Sequence, residues 1–333
     1  MRDFLHRLRH LVSHDHDHGT PAVSIMESGS IGIRASQVSL IGLGVTALIQ
    51  GVIVVFSGSV ALLSDTLHNL TDALTAIPLW IAFAWGRKAE TRTYTYGFRR
   101  AEDFAGLLIV GAIGASAVLV VWQSIERLID PRLMDNIPWV IAAGVVGAAG
   151  NELVARYRIA TGRRIGSEAL IADGHHARSD AWTSLAVVAA GIGATFEAAW
   201  VDPVAGLVVA AGIVVLMARS ARRISRRLLD GVEPAVLTRV ESPIGGVEGV
   251  EELTDLRARW HGHQLRVAAS ISVDPTITVA RGHDIAHAVE HALHHEFTTP
   301  VHVVIHVEPH GQTEAHDTTA HHKESARTTN EPS

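Results

Sequence analysis

The sequence of 333 residues contains no cysteine, which excludes both a disulfide framework and a thiolate metal site. Charged residues are scarce at 19%, whereas 47% of the residues are hydrophobic. That balance is unusual for a soluble protein of this length and is typical of a chain with several bilayer spans. Lysine occurs only at Lys88 and Lys323, which favours a GC-rich bacterial source. The net charge of -6 excludes a strongly basic nucleic-acid-binding protein.

Six apolar segments of 18 or more residues are each long enough to cross a bilayer as a helix. Polar residues interrupt the second and the fifth. The other four are uniformly apolar, which favours membrane spans over the amphipathic helices of a soluble bundle. The segments are Val38–Ser57, Val60–Trp85, Ala105–Leu128, Ile137–Ala160, Ser167–Phe196 and Val204–Ala221.

Basic residues alternate between the loops that join these segments. They are concentrated before the first span and after the second, fourth and sixth spans. The loop around Gly58 carries no charge, the loop around Trp200 carries only two acids, and the arginines around Pro131 are offset by acids. Because positively charged loops stay in the cytoplasm, we expect a multi-pass protein of the cytoplasmic membrane with both termini in the cytosol.

The chain divides into four predicted regions. Residues 1–35 form a polar cytosolic arm without a cleavable signal peptide. Its alternation of histidine and aspartate from His14 to His18 suits weak metal binding, and an arm without a role is the alternative. Residues 36–222 form the membrane domain, residues 223–310 a small cytosolic domain, and residues 311–333 a disordered polar tail.

The small cytosolic domain is predicted to have an α+β fold. Strands are expected at Asp255–Trp260, Leu265–Val273 and Val301–Glu308, and a helix at Gly282–Phe297. With a further helix around Ala235–Val240, the order of elements is α-β-β-α-β.

An internal repeat lies in the second and fifth spans. The pattern Asp-x-x-His-x-x-[Ser/Thr]-Asp-Ala-x-Thr begins at Asp65 and again at Asp173, an offset of 108 residues (173 minus 65) that holds for every matched position. Ionisable residues are costly inside a bilayer and usually mark the path of a substrate. A duplicated set of metal-ligand types therefore indicates one site built from two half-sites.

Helix geometry predicts that the repeated residues form a metal site. Residues four apart lie on one face of a helix, so His68 can act with Asp72 and His176 with Asp180. If the two helices face each other, two imidazoles and two carboxylates converge, which suits tetrahedral zinc. Magnesium would require more oxygen ligands and retained water. Two hydrogen-bonded pairs that only hold the helices together are the alternative.

Other polar residues of these spans are open to several interpretations. Asp65 and Asp173 lie about one turn before the histidines. They could orient the imidazoles, extend a polar path, cap a helix or bond two helices together. His175 points ~100° away from His176 and is not expected to bind the same ion. Asn151 and Glu152, in the fourth span, are interpreted as packing contacts between helices.

These motifs together resemble the cation diffusion facilitator family of zinc transporters. The resemblance rests on the two His/Asp motifs, on the stretch Ser57–Asp65, on Asp202-Pro203 and on Asp255-Leu256-Arg257. It implies six transmembrane helices and a cytosolic α+β domain of the ferredoxin-like, metallochaperone type. It also implies a homodimer that alternates between inward- and outward-facing states and exchanges metal for protons.

The resemblance also assigns residues of the membrane domain. His68, Asp72, His176 and Asp180 fall on the family's transport site, and two His with two Asp resemble its zinc-selective variant. Manganese-type members are richer in Asp. The loop that often carries a second zinc site reads Tyr94–Glu102 here without a histidine, so we expect that site to be absent.

The resemblance assigns residues outside the spans as well. His283, His306 and Glu308 match metal-ligand positions of the cytosolic domain, and His261 and His263 could compensate for two missing ligands at Thr254 and Ser270. A dimer interface without metal is the alternative. His287, His291 and His295 repeat every four residues along a helix and indicate an exposed polar face. Arg100 and Asp230 match a charge pair at the dimer interface.

The chemistry of the four ligands favours a secondary active transporter over an enzyme. A ligand must lose its proton to bind zinc, and histidine titrates near neutral pH. We therefore expect proton-coupled export of zinc, with zinc as substrate and as a regulatory ligand of the cytosolic domain. Cobalt, iron, nickel or cadmium as main substrate is the alternative. An intramembrane metalloenzyme would need an open coordination position, and a sensor would not need ligands buried in two spans.

Overall fold

A computed structural model describes residues 25–57, 66, 76–130, 136–198 and 200–311. Contacts divide the chain into two compact units. The helical unit comprises Met1–Gly231 together with Trp260–Leu265 and Thr298–Pro300. The sheet unit comprises Val232–Arg259, Arg266–Phe297 and Val301–Ser333.

Six helices make up the described part of the helical unit. The first, third, fourth and sixth are long and apolar enough to cross a membrane, which confirms four of the predicted spans. The fifth has 28 residues and carries the polar residues of the second repeat. The second begins at Ala76, within the predicted span Val60–Trp85; of the earlier part of that span only Thr66 is among the described residues. The helices are α1 (Ile25–Ser57), α2 (Ala76–Gly86), α3 (Ala101–Ile129), α4 (Ile137–Ile165), α5 (Glu168–Thr195) and α6 (Val201–Leu228).

Helix α1 begins earlier than the hydropathy of the sequence predicted. It starts at Ile25 instead of Val38, so part of the predicted polar arm is helical. Its early turns bury the small side chains of Ser28, Ala35 and Ser36. Because these side chains are small or polar, they add little to the hydropathy by which a span is recognised in the sequence. The run from His14 to His18 lies outside the described residues.

The junction between α4 and α5 follows directly from local sequence. Helix α4 ends at Ile165 and is followed by Gly166, whose φ of 74° is the left-handed conformation typical of a glycine helix stop. The next residue, Ser167, caps α5 by accepting a hydrogen bond from the backbone N–H of Leu170. This stop and start set the point at which the site-bearing helix α5 begins.

Glycines of α4 allow close contact with α1 and α5. A methyl group on Gly144 would lie 3.1 Å from the carbonyl oxygen of Ser184 and 2.8 Å from a methyl of Val188, both on α5. On Gly150 it would lie 2.2 Å from the hydroxyl of Thr46 on α1. Small residues commonly bring membrane helices together in this way, so Gly144 helps to position α5 against α4, and Gly150 helps to position α1.

Gly144→Ala is expected to destabilise the protein by about 1–3 kcal/mol, because the added methyl group meets backbone and forces α4 away from α5. Gly111→Ala in α3 is the matched control, since a methyl group there has no atom within 4 Å. That substitution should be neutral or stabilising by at most about 1 kcal/mol. Thermal unfolding of the two variants in detergent tests the comparison. Equal melting temperatures would contradict the close contact.

The turn at Trp260–Leu265 belongs to the helical unit and is held there by buried polar groups. Nδ1 of His263 lies 2.7 Å from Oε2 of Glu102, and Nε2 lies 2.8 Å from the hydroxyl of Ser28. The backbone N–H of Gly262 donates to Asp103 over 3.3 Å. Gly262 has a φ of 59°, and a methyl group on it would lie 2.8 Å from the carbonyl oxygen of Arg99. Glycine is therefore required at this turn.

Arg227, near the end of α6, completes this buried arrangement. Its Nη1 donates to the carbonyl oxygens of Gly166 at 2.9 Å and Gly262 at 3.2 Å. Its guanidinium group lies 4.4 Å above the ring of Trp260, and Glu168 lies 4.0 Å away. A buried charge needs such partners, and Arg227 thereby connects α6, the α4–α5 junction and the turn.

The sheet unit contains two helices and most of a three-stranded sheet with the order β1-β2-β3. Helix α8 buries Ile285, Val289 and Leu293 along one face, at the spacing of four expected for an amphipathic helix. The predicted order α-β-β-α-β is confirmed. The elements are α7 (Pro234–Gly245), β1 (Glu252–His261), β2 (Gln264–Val273), α8 (Val279–Glu296) and β3 (Val301–Pro309).

Candidate metal site on helix α5

His176 and Asp180 lie near the middle of α5 and are 1% and 7% exposed. Nδ1 of His176 is 3.6 Å from Oδ1 of Asp180. Two ligands of one tetrahedral zinc ion lie about 3.3 Å apart, given metal–ligand bonds of ~2.0–2.2 Å. The pair therefore needs only a small adjustment to bind one ion.

Neighbouring hydroxyl groups bond to the α5 backbone. Ser179 donates to the carbonyl oxygen of His176 over 2.6 Å, and Thr183 donates to that of Ser179 over 3.0 Å. Such bonds to the preceding turn are usual for serine and threonine inside helices. These two hydroxyl groups thus bond within the helix. His176 and Asp180 share one face of α5, whereas His175 is half-buried and points ~100° away from His176.

The other half of the predicted site, His68 and Asp72, lies outside the described residues, as does Asp65. Among the described residues, no group of three or more His, Asp or Glu side chains converges to hold a metal ion. The four-ligand arrangement therefore stays a prediction.

Asp173, at the start of the second repeat, forms an ion pair with Arg158 of α4. Nη1 of Arg158 lies 3.1 Å from Oδ1 of Asp173, and the two side chains are 1% and 0% exposed. This is the helix–helix bond, one of the alternatives left open for Asp173 by the sequence. Arg158 was missed by sequence reasoning. The signal was available, because an arginine close to a membrane span usually needs a partner.

A second ion pair joins the same two helices. Arg178 of α5 binds Glu152 of α4 through both carboxylate oxygens, each at 3.1 Å, and Arg156 contacts the same carboxylate at 2.8 Å. Bidentate pairs of this kind fix geometry as well as charge. Glu152 is therefore a contact between helices, as interpreted from the sequence. Together with the Arg158–Asp173 pair it fixes the rotation of α5 and thus the direction of His176.

The predicted ligands of the sheet unit are only partly brought together. Nε2 of His306 lies 3.6 Å from Oε1 of Glu308 on β3. The hydroxyl of Thr254 lies 3.3 Å from Oε2 of Glu308 and also bonds the carbonyl oxygen of Ser270. A hydroxyl thus lies beside the acid at one of the two positions where the family resemblance leads to the expectation of a ligand. His283 lies on α8.

His261 and His263 are buried in the helical unit, at 5% and 4% exposure. Both ring nitrogens of His263 have hydrogen-bond partners, so a metal ion would have to displace Glu102 or Ser28. Metal binding by His261 and His263 stays a prediction.

Arg100 and Asp230 form an ion pair within this chain. Arg100 also donates to the carbonyl oxygen of Leu228 over 3.2 Å. The pair thereby joins the start of α3 to the end of α6. Its predicted place at a dimer interface stays a prediction.

Comparison with known proteins agrees with this architecture over nearly the whole described chain. The family "Cation efflux transmembrane domain" matches residues 36–229, and "Cation efflux protein, cytoplasmic domain" matches residues 232–310.

A "Probable cation efflux system protein" of Mycobacterium tuberculosis is 48% identical over 296 residues, 89% of each chain. The manganese efflux system proteins MneS and MneP of Bacillus subtilis are each 26% identical. Their matches cover 85% and 76% of this chain, and 97% and 87% of their own lengths. The chain, with its membrane helices and its cytoplasmic α+β domain, therefore belongs to the cation efflux (cation diffusion facilitator) family, whose members are transporters and not enzymes.

Proposed function

We propose that this protein exports zinc from the cytoplasm across the cytoplasmic membrane in exchange for protons. His68, Asp72, His176 and Asp180 are the proposed transport ligands. The observation that carries the proposal is the His176–Asp180 pair, which is buried near the middle of a helix. The described part of the same unit contains four helices long and apolar enough to cross a membrane. The pair offers one nitrogen and one oxygen donor, and the repeat supplies the same two donors on the second span.

Zinc is preferred over manganese because of the donor set. Manganese favours carboxylate, carbonyl and water oxygens, whereas imidazole suits zinc, copper, iron and nickel. The relatives named for manganese efflux make manganese the second candidate substrate. Cobalt, iron, nickel and cadmium remain alternatives within the same site, since imidazole and carboxylate can bind each of them.

Exchange with protons follows from competition at the ligands. Zinc binds the neutral imidazole and the ionised carboxylate, so protonation and metal binding exclude each other. When the site opens to an acidic exterior, protons displace zinc. When it opens to the neutral cytoplasm, the protons leave and zinc binds again. Because the protons enter from the acidic exterior, the cycle moves zinc outward. The distribution of arginine supports a cytosolic location for both termini.

The sheet unit is proposed to join two copies of the chain as a homodimer. Its match to the family's cytoplasmic domain supports this. Zinc is proposed as a regulatory ligand of the same domain through His283, His306 and Glu308. A small cytosolic zinc site would make transport respond to the concentration of its own substrate.

Purified protein in lipid vesicles tests the proposed substrate and its coupling. With an acidic lumen, zinc uptake is expected to exceed manganese uptake under matched conditions and to fall when a proton ionophore removes the pH gradient. Vesicles without protein are the control. Faster uptake of manganese than of zinc would identify manganese as the main substrate. Zinc uptake at the same rate with and without the pH gradient would contradict exchange with protons.

A further inference from the structure

Helix α8 carries histidines on the face opposite its buried side. The buried side is formed by Ile285, Val289 and Leu293. Successive residues are 100° apart around a helix, so His291 and His295 point away from that side. Both are exposed to solvent. Four histidines follow this face at a spacing of four residues: His283, His287, His291 and His295.

The side chains of His291 and His295 already converge. Their Nε2 atoms lie 3.2 Å apart, and their ring centroids are separated by 4.4 Å. Two imidazole nitrogens bound to one tetrahedral zinc ion lie about 3.3 Å apart, given Zn–N bonds of ~2.0–2.1 Å. The two nitrogens therefore stand at the separation that a shared metal ion requires.

We propose that His291 and His295 form a two-imidazole binding site for a divalent transition metal on the exposed face of α8. Neither residue is among the ligand positions that the family resemblance assigns to the cytosolic domain. The site also does not depend on the proposed transport ligands of α5. It could therefore bind metal even if the proposed transport function were wrong.

The donor type determines which metals fit. Two neutral imidazoles suit zinc, nickel, cobalt and copper(II), whereas magnesium, calcium and manganese favour oxygen ligands. Two protein ligands leave the other coordination positions to water. A metal ion held in this way exchanges readily with solvent, so the site suits the temporary capture of metal at the protein surface and not a structural role.

A two-ligand site has a distinctive mutational signature. If both imidazoles hold one ion, losing either one removes the chelate. His291→Gln, His295→Gln and the double variant should then lose the same amount of bound zinc. Two independent histidines would instead give losses that add. Substitution at these exposed positions leaves the buried face of α8 unchanged, so the variants are expected to fold.

Protection of individual histidines from chemical modification shows which side chains bind zinc, whereas a measurement of total bound zinc would include every site in the protein. Full-length protein in detergent is treated with diethyl pyrocarbonate, and modification of each histidine is followed by peptide mass spectrometry. Zinc is expected to slow modification of His291 and His295 several-fold, whereas manganese should not. In His291→Gln, zinc should no longer protect His295. His302→Gln, at an exposed histidine of β3, is the matched control and should leave the protection intact.

The proposal would be overturned if zinc failed to protect His291 and His295 in the unsubstituted protein. It would also be overturned if zinc protected His295 equally in His291→Gln. Zinc transport by His291→Gln is measured in parallel. Retained transport with lost protection separates this site from the transport ligands.

Discussion

His176→Ala is expected to abolish zinc transport, whereas His175→Ala is expected to leave it intact. His176 is 1% exposed and faces Asp180, while its neighbour is half-buried and lies ~100° around the helix. Loss of one of the four proposed ligands would leave the ion incompletely coordinated in a buried site. Since even residues that only orient a ligand are worth 10–100-fold, a loss of at least about 100-fold is expected. Zinc uptake into vesicles containing equal amounts of each variant measures the effect.

Asp180→Asn provides a second test at the same site. The substitution keeps the shape of the side chain but removes its charge and weakens it as a metal ligand. It should therefore lower zinc transport as His176→Ala does, while the melting temperature in detergent stays close to that of the unsubstituted protein. Unchanged zinc transport by His176→Ala or Asp180→Asn would contradict the proposed transport site on α5. A loss of transport in His175→Ala, with folding intact, would mean that the repeat has been aligned one residue out of register.

Arg158→Met is expected to produce the largest loss of stability. The substitution preserves most of the side-chain volume but leaves the carboxylate of Asp173 buried at 0% exposure without its cation. Removing one partner of a buried ion pair typically costs about 3–5 kcal/mol. For a chain of this size, that corresponds to a fall in melting temperature of roughly 10 °C. Thermal unfolding in detergent measures the change.

The double variant Arg158→Met with Asp173→Leu distinguishes two roles for Asp173. Replacing both charges with apolar side chains of similar volume is often neutral, so most of the lost stability should return. If the double variant is stable and transports zinc, the pair serves to connect α4 and α5. If it is stable but inactive, Asp173 also belongs to the polar path. A double variant as unstable as Arg158→Met would contradict the ion pair as the source of the effect.

The parts of the site that follow from local rules could be predicted from the sequence. His176 and Asp180 were assigned to one face because a spacing of four residues fixes their relation within a single helix. The start of α5 is also predictable from the sequence, because Gly166 and Ser167 are residues that typically end one helix and cap the next. The order of elements in the sheet unit followed from its alternating strands and its amphipathic helix.

The contacts between helices could not be predicted in the same way. The Arg158–Asp173 and Glu152–Arg178 pairs depend on which sides of α4 and α5 pack together, and no local spacing encodes that choice. The early start of α1 was missed for a related reason. Its first turns are buried through small side chains, whereas hydropathy detects large apolar ones.

The turn at Trp260–Leu265 limits how freely the cytoplasmic domain of this chain could be replaced by that of a relative. Family boundaries suggest a clean division near residue 231. A chain ending there would keep Glu102, Asp103 and Arg227 but lose the histidine ring, the amide and the carbonyl oxygen that they bind. A chimera carrying a foreign cytoplasmic domain would need glycine and histidine at the positions of Gly262 and His263 to restore those bonds. A chimera that lacks these two residues is therefore expected to be less stable than this chain.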